Sequence, residues 1–84
     1  MTLYEETLPL LQELIRNACV NDLTPDSGQE VRNADTLERF FAGVPNVEIQ
    51  RLEPRPGRTT IIFTVPGSDP DAEPLTLLGH TDVV

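Results

Sequence analysis

Apolar positions in the first part of the chain follow a helical period. Tyr4, Leu8, Leu11 and Ile15 recur every three or four residues, with Leu14 and Ala18 beside them. This spacing predicts a helix over roughly 3–18 with one apolar stripe. "TLYE" at 2–5 is a capping box, in which Thr2 accepts from the Glu5 N–H and the Glu5 side chain reaches back. Pro9 falls inside this span, where a missing N–H is expected to kink the rod. Thr7 offers an alternative start at Leu8.

Residues 19–29, "CVNDLTPDSGQ", are turn formers almost throughout and predict a loop. A loop of that length raises the prior for function. "SGQE" at 27–30 repeats the capping-box pattern and predicts a second helix over about 29–42. Its expected buried stripe is Val31, Ala34, Leu37 and Phe41, with Phe40 at the edge and Gly43 as the stop.

The period then changes from helical to alternating. Val47, Ile49 and Leu52 interleave with polar residues in "NVEIQRLE", the pattern of a strand with one wet face. "PRPG" at 54–57 predicts a turn, and the β-branched run "RTTIIFTV" at 58–65 a second strand hairpinned to the first. "PGSDPDAEP" at 66–74 is a surface loop. "LTLLG" at 75–79 is short, apolar and bounded by breakers, as a central strand of an α/β sheet is. The expected fold class is therefore α/β, in the order α-α-β-β-β. Its sheet is incomplete, since a central strand needs neighbours on both edges.

Composition narrows the class. The 84 residues carry 38% hydrophobic and 24% charged residues, which suits one small ordered domain. A net charge of −8 repels phosphate backbones and anionic headgroups, so neither nucleic acid nor membrane is an expected partner. No basic n-region opens the chain and no apolar run approaches membrane-spanning length. The expectation is a cytoplasmic protein that starts at Met1. The single cysteine, Cys19, excludes an intrachain disulfide and is expected to be a packed residue.

The candidate chemistry stands at the end of the apolar run, in "LLGHTDVV" at 77–84. His80 is the only histidine, and Asp82 follows two positions later. In extended backbone, residues two apart point to one side. The Asp82 carboxylate can then take the Nδ1–H of His80 and leave Nε2 free for a metal. Gly79 removes bulk beside the imidazole and permits a tight bend. His80 is thus the expected metal ligand and Asp82 its outer carboxylate. A solvated or structural histidine is the alternative.

The stretch "PLTLLGHTDVV" resembles the first metal motif of the zinc metallopeptidases that include aminoacylase, acetylornithine deacetylase, succinyl-diaminopimelate desuccinylase and carboxypeptidase. The upstream order is similar as well: a helix ending in "LIR", a Pro/Ser loop, a second helix, two strands and a Pro/Gly/Asp loop. The resemblance spans essentially the whole chain, with only the last eleven residues distinctive. It implies that 1–84 is the N-terminal part of a catalytic domain with a zinc-peptidase-like three-layer fold. It implies His80 as a zinc ligand and Asp82 as the catalytic acidic residue that bonds the imidazole. It further implies two zinc ions, with cobalt or manganese as substitutes, bridged by a later aspartate and served by a Glu-Glu pair. Those ligands would follow Asp82 and none falls within these residues. The implied substrate is a small peptide or N-acyl amino acid, and a homodimer of the full-length parent is compatible with the family. Thr59 and Thr60 depart from it, since Asn often follows the Gly-Arg there.

The residues alone also fit a second class, a stand-alone acidic α/β interaction module with "LTLLG" as an edge strand. The fragment reading expects partial unfolding or aggregation of the 84-mer and no activity. The loop 21–30 resembles the segment bordering the substrate pocket, though as a plain loop it needs no function. Asp69, Asp71 and Glu73 lack the spacing of a calcium loop and are expected to be solvated.

Overall fold

Thr2 starts α1 (Leu3–Arg16) by the reciprocal bonding of a capping box. Its hydroxyl accepts the Glu5 N–H at 3.1 Å, and its own N–H donates to the Glu5 carboxylate at 3.2 Å. The computed structural model describes all residues from Met1 to Val84. The helix runs unbroken through Pro9, so no second start at Leu8 exists. The bond lost at Pro9 is the one to the Glu5 carbonyl, four residues back. Glu5 is exposed, so water can satisfy that oxygen. Helix α1 ends two residues earlier than its spacing suggests, because Ala18 turns to φ 49°. Thr2→Ala removes the cap and should lower stability by about 1 kcal/mol, read as a lower urea midpoint with reduced helical ellipticity.

The apolar stripe of α1 is not buried. Tyr4, Leu8, Leu11 and Ile15 are all exposed. The side turned toward the second helix carries Glu6, Leu10 and Glu13 instead, and Glu13 pairs with Arg39 at 2.6 Å. Both members of that pair are substantially exposed, so Arg39→Ala should change stability by less than about 1 kcal/mol in the same urea titration.

Helix α2 (Val31–Phe41) begins after Glu30, with no side chain capping it. The "SGQE" box does not form, because Ser27 is used inside the loop. Its hydroxyl lies 2.8 Å from the Thr24 carbonyl and accepts the Asp22 N–H at 3.2 Å. The first helical amide, of Val31, donates instead to the Gly57 carbonyl at 3.1 Å, which docks the helix on the hairpin turn. The innermost face also differs from the expected stripe. Ala34 is buried, but its buried companions are Asn33 and Thr36, while Val31, Leu37 and Phe41 are only half-buried. Phe40 stays at the edge, 5.0 Å edge-on from Phe41, and Phe41 packs on Phe63 at 4.8 Å.

Strands β1 (Glu48–Arg55) and β2 (Arg58–Thr64) form an antiparallel hairpin. Pro56 followed by Gly57 at φ 81° is the chemistry of a type II turn. The strands therefore extend closer to the tip than "PRPG" suggests. Pro54 lies where the register shifts between Leu52 and Arg55, a position that tolerates a missing N–H. Ile49 pairs with Phe63 and Arg51 with Ile61, and these four are half-buried while Leu52 is exposed. Arg51 takes the inward position by strict alternation from Ile49, where two carboxylates on α2 meet its charge, Asp35 at 2.9 Å and Glu38 at 3.4 Å.

The protein is thus a small mixed α/β domain, two helices and a two-stranded sheet, in the order α-α-β-β. The expected third strand is absent. Leu75–Gly79 has no ladder partner, and Leu75, Leu77 and Leu78 are exposed, Leu78 at 95%. Backbone pairing, not apolar content, makes a strand, and neither edge of the hairpin meets this segment. The fully buried apolar residues are Cys19 and Ala34 alone. Total accessible surface is 6720 Å², against about 5,000 Å² for a folded monomer of this mass. The radius of gyration, 14.5 Å, likewise exceeds the value of about 12 Å for a domain of this length. No helix is long and apolar enough to cross a membrane.

Candidate functional site

The loop between the helices positions the C-terminal residues. Gly28 donates to the Val20 carbonyl at 2.8 Å, which folds the loop back on its own start. The tail then runs beside residues 19–21 and forms one parallel bridge, Val20 with Val83. Val83 donates to the Cys19 carbonyl at 2.9 Å, and the Asn21 N–H donates to the Val83 carbonyl at 2.6 Å. From the other side the Asn33 amide donates to the Thr81 carbonyl at 2.9 Å. Asn33 in turn accepts from the Asn17 amide at 2.8 Å, and that amide also reaches Thr36 at 2.9 Å. A polar chain, buried at Asn33 and Thr36 and half-buried at its ends, therefore ties α1 and α2 to the tail, and every member is bonded.

Within this frame His80 and Asp82 meet as their spacing suggests. Nδ1 of His80 lies 3.1 Å from Oδ1 of Asp82 and 2.9 Å from the Asp82 carbonyl oxygen. Both neighbours are acceptors, so the network assigns the ring proton to Nδ1. In the neutral ring Nε2 then holds a free lone pair. The His80 side chain is 85% exposed and the Asp82 side chain 25%. The tail has a single bridge here rather than continued strand pairing. Gly79 relieves no crowding, since an added Cβ would stand in open space.

The second oxygen of Asp82, Oδ2, accepts the Asn21 side-chain amide at 2.9 Å. That bond first, and the bond to His80 second, hold the Asp82 carboxyl below the ordinary carboxylate range. A group whose pKa is depressed by folding stabilises the fold above its unfolded value and loses that contribution as pH falls through the folded one. The Asn21–Asp82 bond should therefore persist at neutral pH and weaken on acidification below about pH 4. The Asn21 side-chain amide resonances report it directly, by moving toward free-amide positions. With both oxygens engaged, Asp82 is placed to orient the imidazole rather than to accept a proton from a substrate.

An open cleft of about 450 Å³ adjoins the pair, walled by Arg55, Arg58, Thr59 and Ile61 on one side and by Gly79–Asp82 on the other. At its base Arg58 grips Glu30 through Nε–Oε2 at 2.7 Å and Nη2–Oε1 at 2.8 Å. Glu30 is 10% exposed and Arg58 24%. Hydrogen bonding to Glu30 above all, with the fields of Glu30 and Asp82 added, outweighs burial and holds the guanidinium more firmly protonated than usual. The cleft thus sets two cations and two carboxylates beside one imidazole.

As for a metal, His80 supplies one donor, Nε2, with an outer carboxylate behind it. No group of three or more His, Cys, Asp or Glu side chains converges anywhere in the chain. The residues present fit one vertex of a coordination shell and its orienting partner, not a shell. Asp69, Asp71 and Glu73 lie on an exposed loop where Asp69 caps its own turn, accepting the Asp71 N–H at 2.9 Å. Cys19 is 1% exposed, its thiol against the Gln29 carbonyl, a packed residue as expected. Sequence reasoning did not single out Asn21, Asn33, Glu30 or Arg58. Only Asn21 had an advance signal, its place in the long polar loop 19–29. Comparison with family models, with curated proteins and with solved structures finds no match to this chain.

Proposed function

We propose that this chain contributes the first metal ligand of a zinc-dependent hydrolase that cleaves an amide bond in a small peptide or N-acyl amino acid. The observation that carries the reading is the orientation of His80, whose Nδ1 is tied to Asp82 at 3.1 Å while the ring stands in solvent. A carboxylate behind an imidazole fixes its tautomer and raises its basicity toward a cation on the opposite nitrogen. In this reading His80 is the ligand and Asp82 its orienter, and the three-layer zinc-peptidase-like fold is completed by residues beyond these 84. Bound zinc, or cobalt or manganese in its place, would polarise the scissile carbonyl and acidify a bound water. A catalytic zinc normally has three protein ligands, so the 84 residues alone are inactive. The protein carrying this chain is assayed on N-acetyl amino acids and dipeptides. Chelation should abolish hydrolysis and added zinc restore it; hydrolysis indifferent to chelation would contradict the proposal.

A second reading, an acidic interaction module without chemistry, draws on the exposed apolar residues Leu75, Leu77 and Leu78 and the bare stripe of α1. Exposed apolar patches of this kind mark contact surfaces. Zinc binding through His80 separates the two, since the module has no use for it.

A further inference from the structure

We propose that Asn21 is the positioning residue of the His80–Asp82 pair, fixing which carboxylate oxygen faces the imidazole and so keeping the ring proton on Nδ1. The proposal deepens the metal-ligand reading and takes its purpose from it, but its measurement needs no metal.

The geometry leaves Asn21 one orientation. Its Oδ1 accepts the Leu23 N–H at 2.8 Å, an Asx turn two residues on. Its Nδ2 donates to Oδ2 of Asp82 at 2.9 Å. Flipping the amide would set oxygen against carboxylate and NH₂ against N–H, so the donor must face Asp82. The Asn21 main chain adds a second hold, donating to Val83 one residue beyond the carboxylate. Asn21 thus grips both the side chain and the backbone of a segment 61 residues away in sequence. With Oδ2 occupied, Oδ1 is the carboxylate oxygen left to accept from His80, at 3.1 Å, beside the Asp82 carbonyl at 2.9 Å. Without Asn21 the carboxylate is free to rotate, and its bond to Nδ1 competes with water. The imidazole then keeps the Asp82 carbonyl as its one fixed acceptor at Nδ1, and the preference for a proton there falls.

Two variants separate positioning from a merely structural role in the loop. Asn21→Asp keeps an oxygen for the Leu23 N–H, so the Asx turn survives, but it removes the donor to Asp82. Asn21→Ala removes both without adding charge. The readout is the tautomer ratio of the His80 ring in metal-free, ¹⁵N-labelled chain at about pH 8.5, where an ordinary imidazole is neutral. Backbone amide spectra confirm that each variant folds. Wild type should show the Nδ1–H form dominant, and both variants should lower the Nδ1–H to Nε2–H ratio about five-fold, the worth of one ordinary hydrogen bond. An unchanged ratio in both variants, or a change in Asn21→Asp alone, which like-charge repulsion explains, would overturn the role of Asn21 and leave the metal-ligand reading intact. A wild-type ring carrying its proton on Nε2 would overturn both.

Discussion

Asn33→Ala should be among the most destabilising single substitutions in this chain, costing about 1–3 kcal/mol. The Asn33 side chain is 1% exposed and links two parts of the fold that share no apolar core. It accepts from Asn17 at the end of α1 and donates to Thr81 in the tail. Alanine makes neither bond. The Asn17 amide keeps Thr36 as a partner, but the Thr81 carbonyl loses its donor from α2. Stabilities of natural domains are only about 5–15 kcal/mol, and a chain with two fully buried apolar residues belongs at the low end. Asn33→Asp tests the cause. It keeps an acceptor for Asn17 yet sets a carboxylate oxygen against the Thr81 carbonyl, so it should be no milder than alanine. In urea titrations both variants should lower the midpoint with little change of slope. Midpoints equal to wild type would mean that the polar chain does not hold the tail.

The second large effect concerns zinc. The chain should take up zinc weakly and through His80, because one imidazole with an outer carboxylate is far from a complete ligand set. His80→Ala should abolish the saturable heat of binding in calorimetry. Asp82→Asn leaves His80 in place but weakens the partner that fixes its tautomer, and should reduce affinity about ten-fold, the lower end of what second-shell changes cost. Tight stoichiometric uptake by the wild-type chain would show a ligand set that its side chains do not display. Equal uptake by wild type and His80→Ala would place any bound zinc elsewhere.

What was legible in the sequence divides along physical lines. Signals completed within a few residues held: the Thr2–Glu5 box, the Pro56–Gly57 turn and the His80–Asp82 spacing each need only near neighbours. Signals that depend on distant partners did not. Leu75–Gly79 has the composition of a strand but no edge to pair with. Ser27 is the local exception: it has the pattern of a cap, but Thr24 and Asp22, a few residues upstream, engage its hydroxyl instead. Leu52 stands three residues after Ile49, so strict alternation puts Arg51 on the inner face instead, where Asp35 and Glu38 of α2 meet its charge. The candidate site shows the same division. Its pair is local and was visible, whereas Asn21 and Asn33 reach the tail only because the chain returns from residue 66 onward to lie beside the first loop.

His80 should meet a cation through Nε2 while Asp82 keeps hold of Nδ1. Zinc is titrated into ¹⁵N-histidine-labelled chain and both ring nitrogens are followed. The predicted result is a progressive shift of Nε2 with Nδ1 remaining protonated. Coordination through Nδ1, or two nitrogens that ignore the metal, would contradict it.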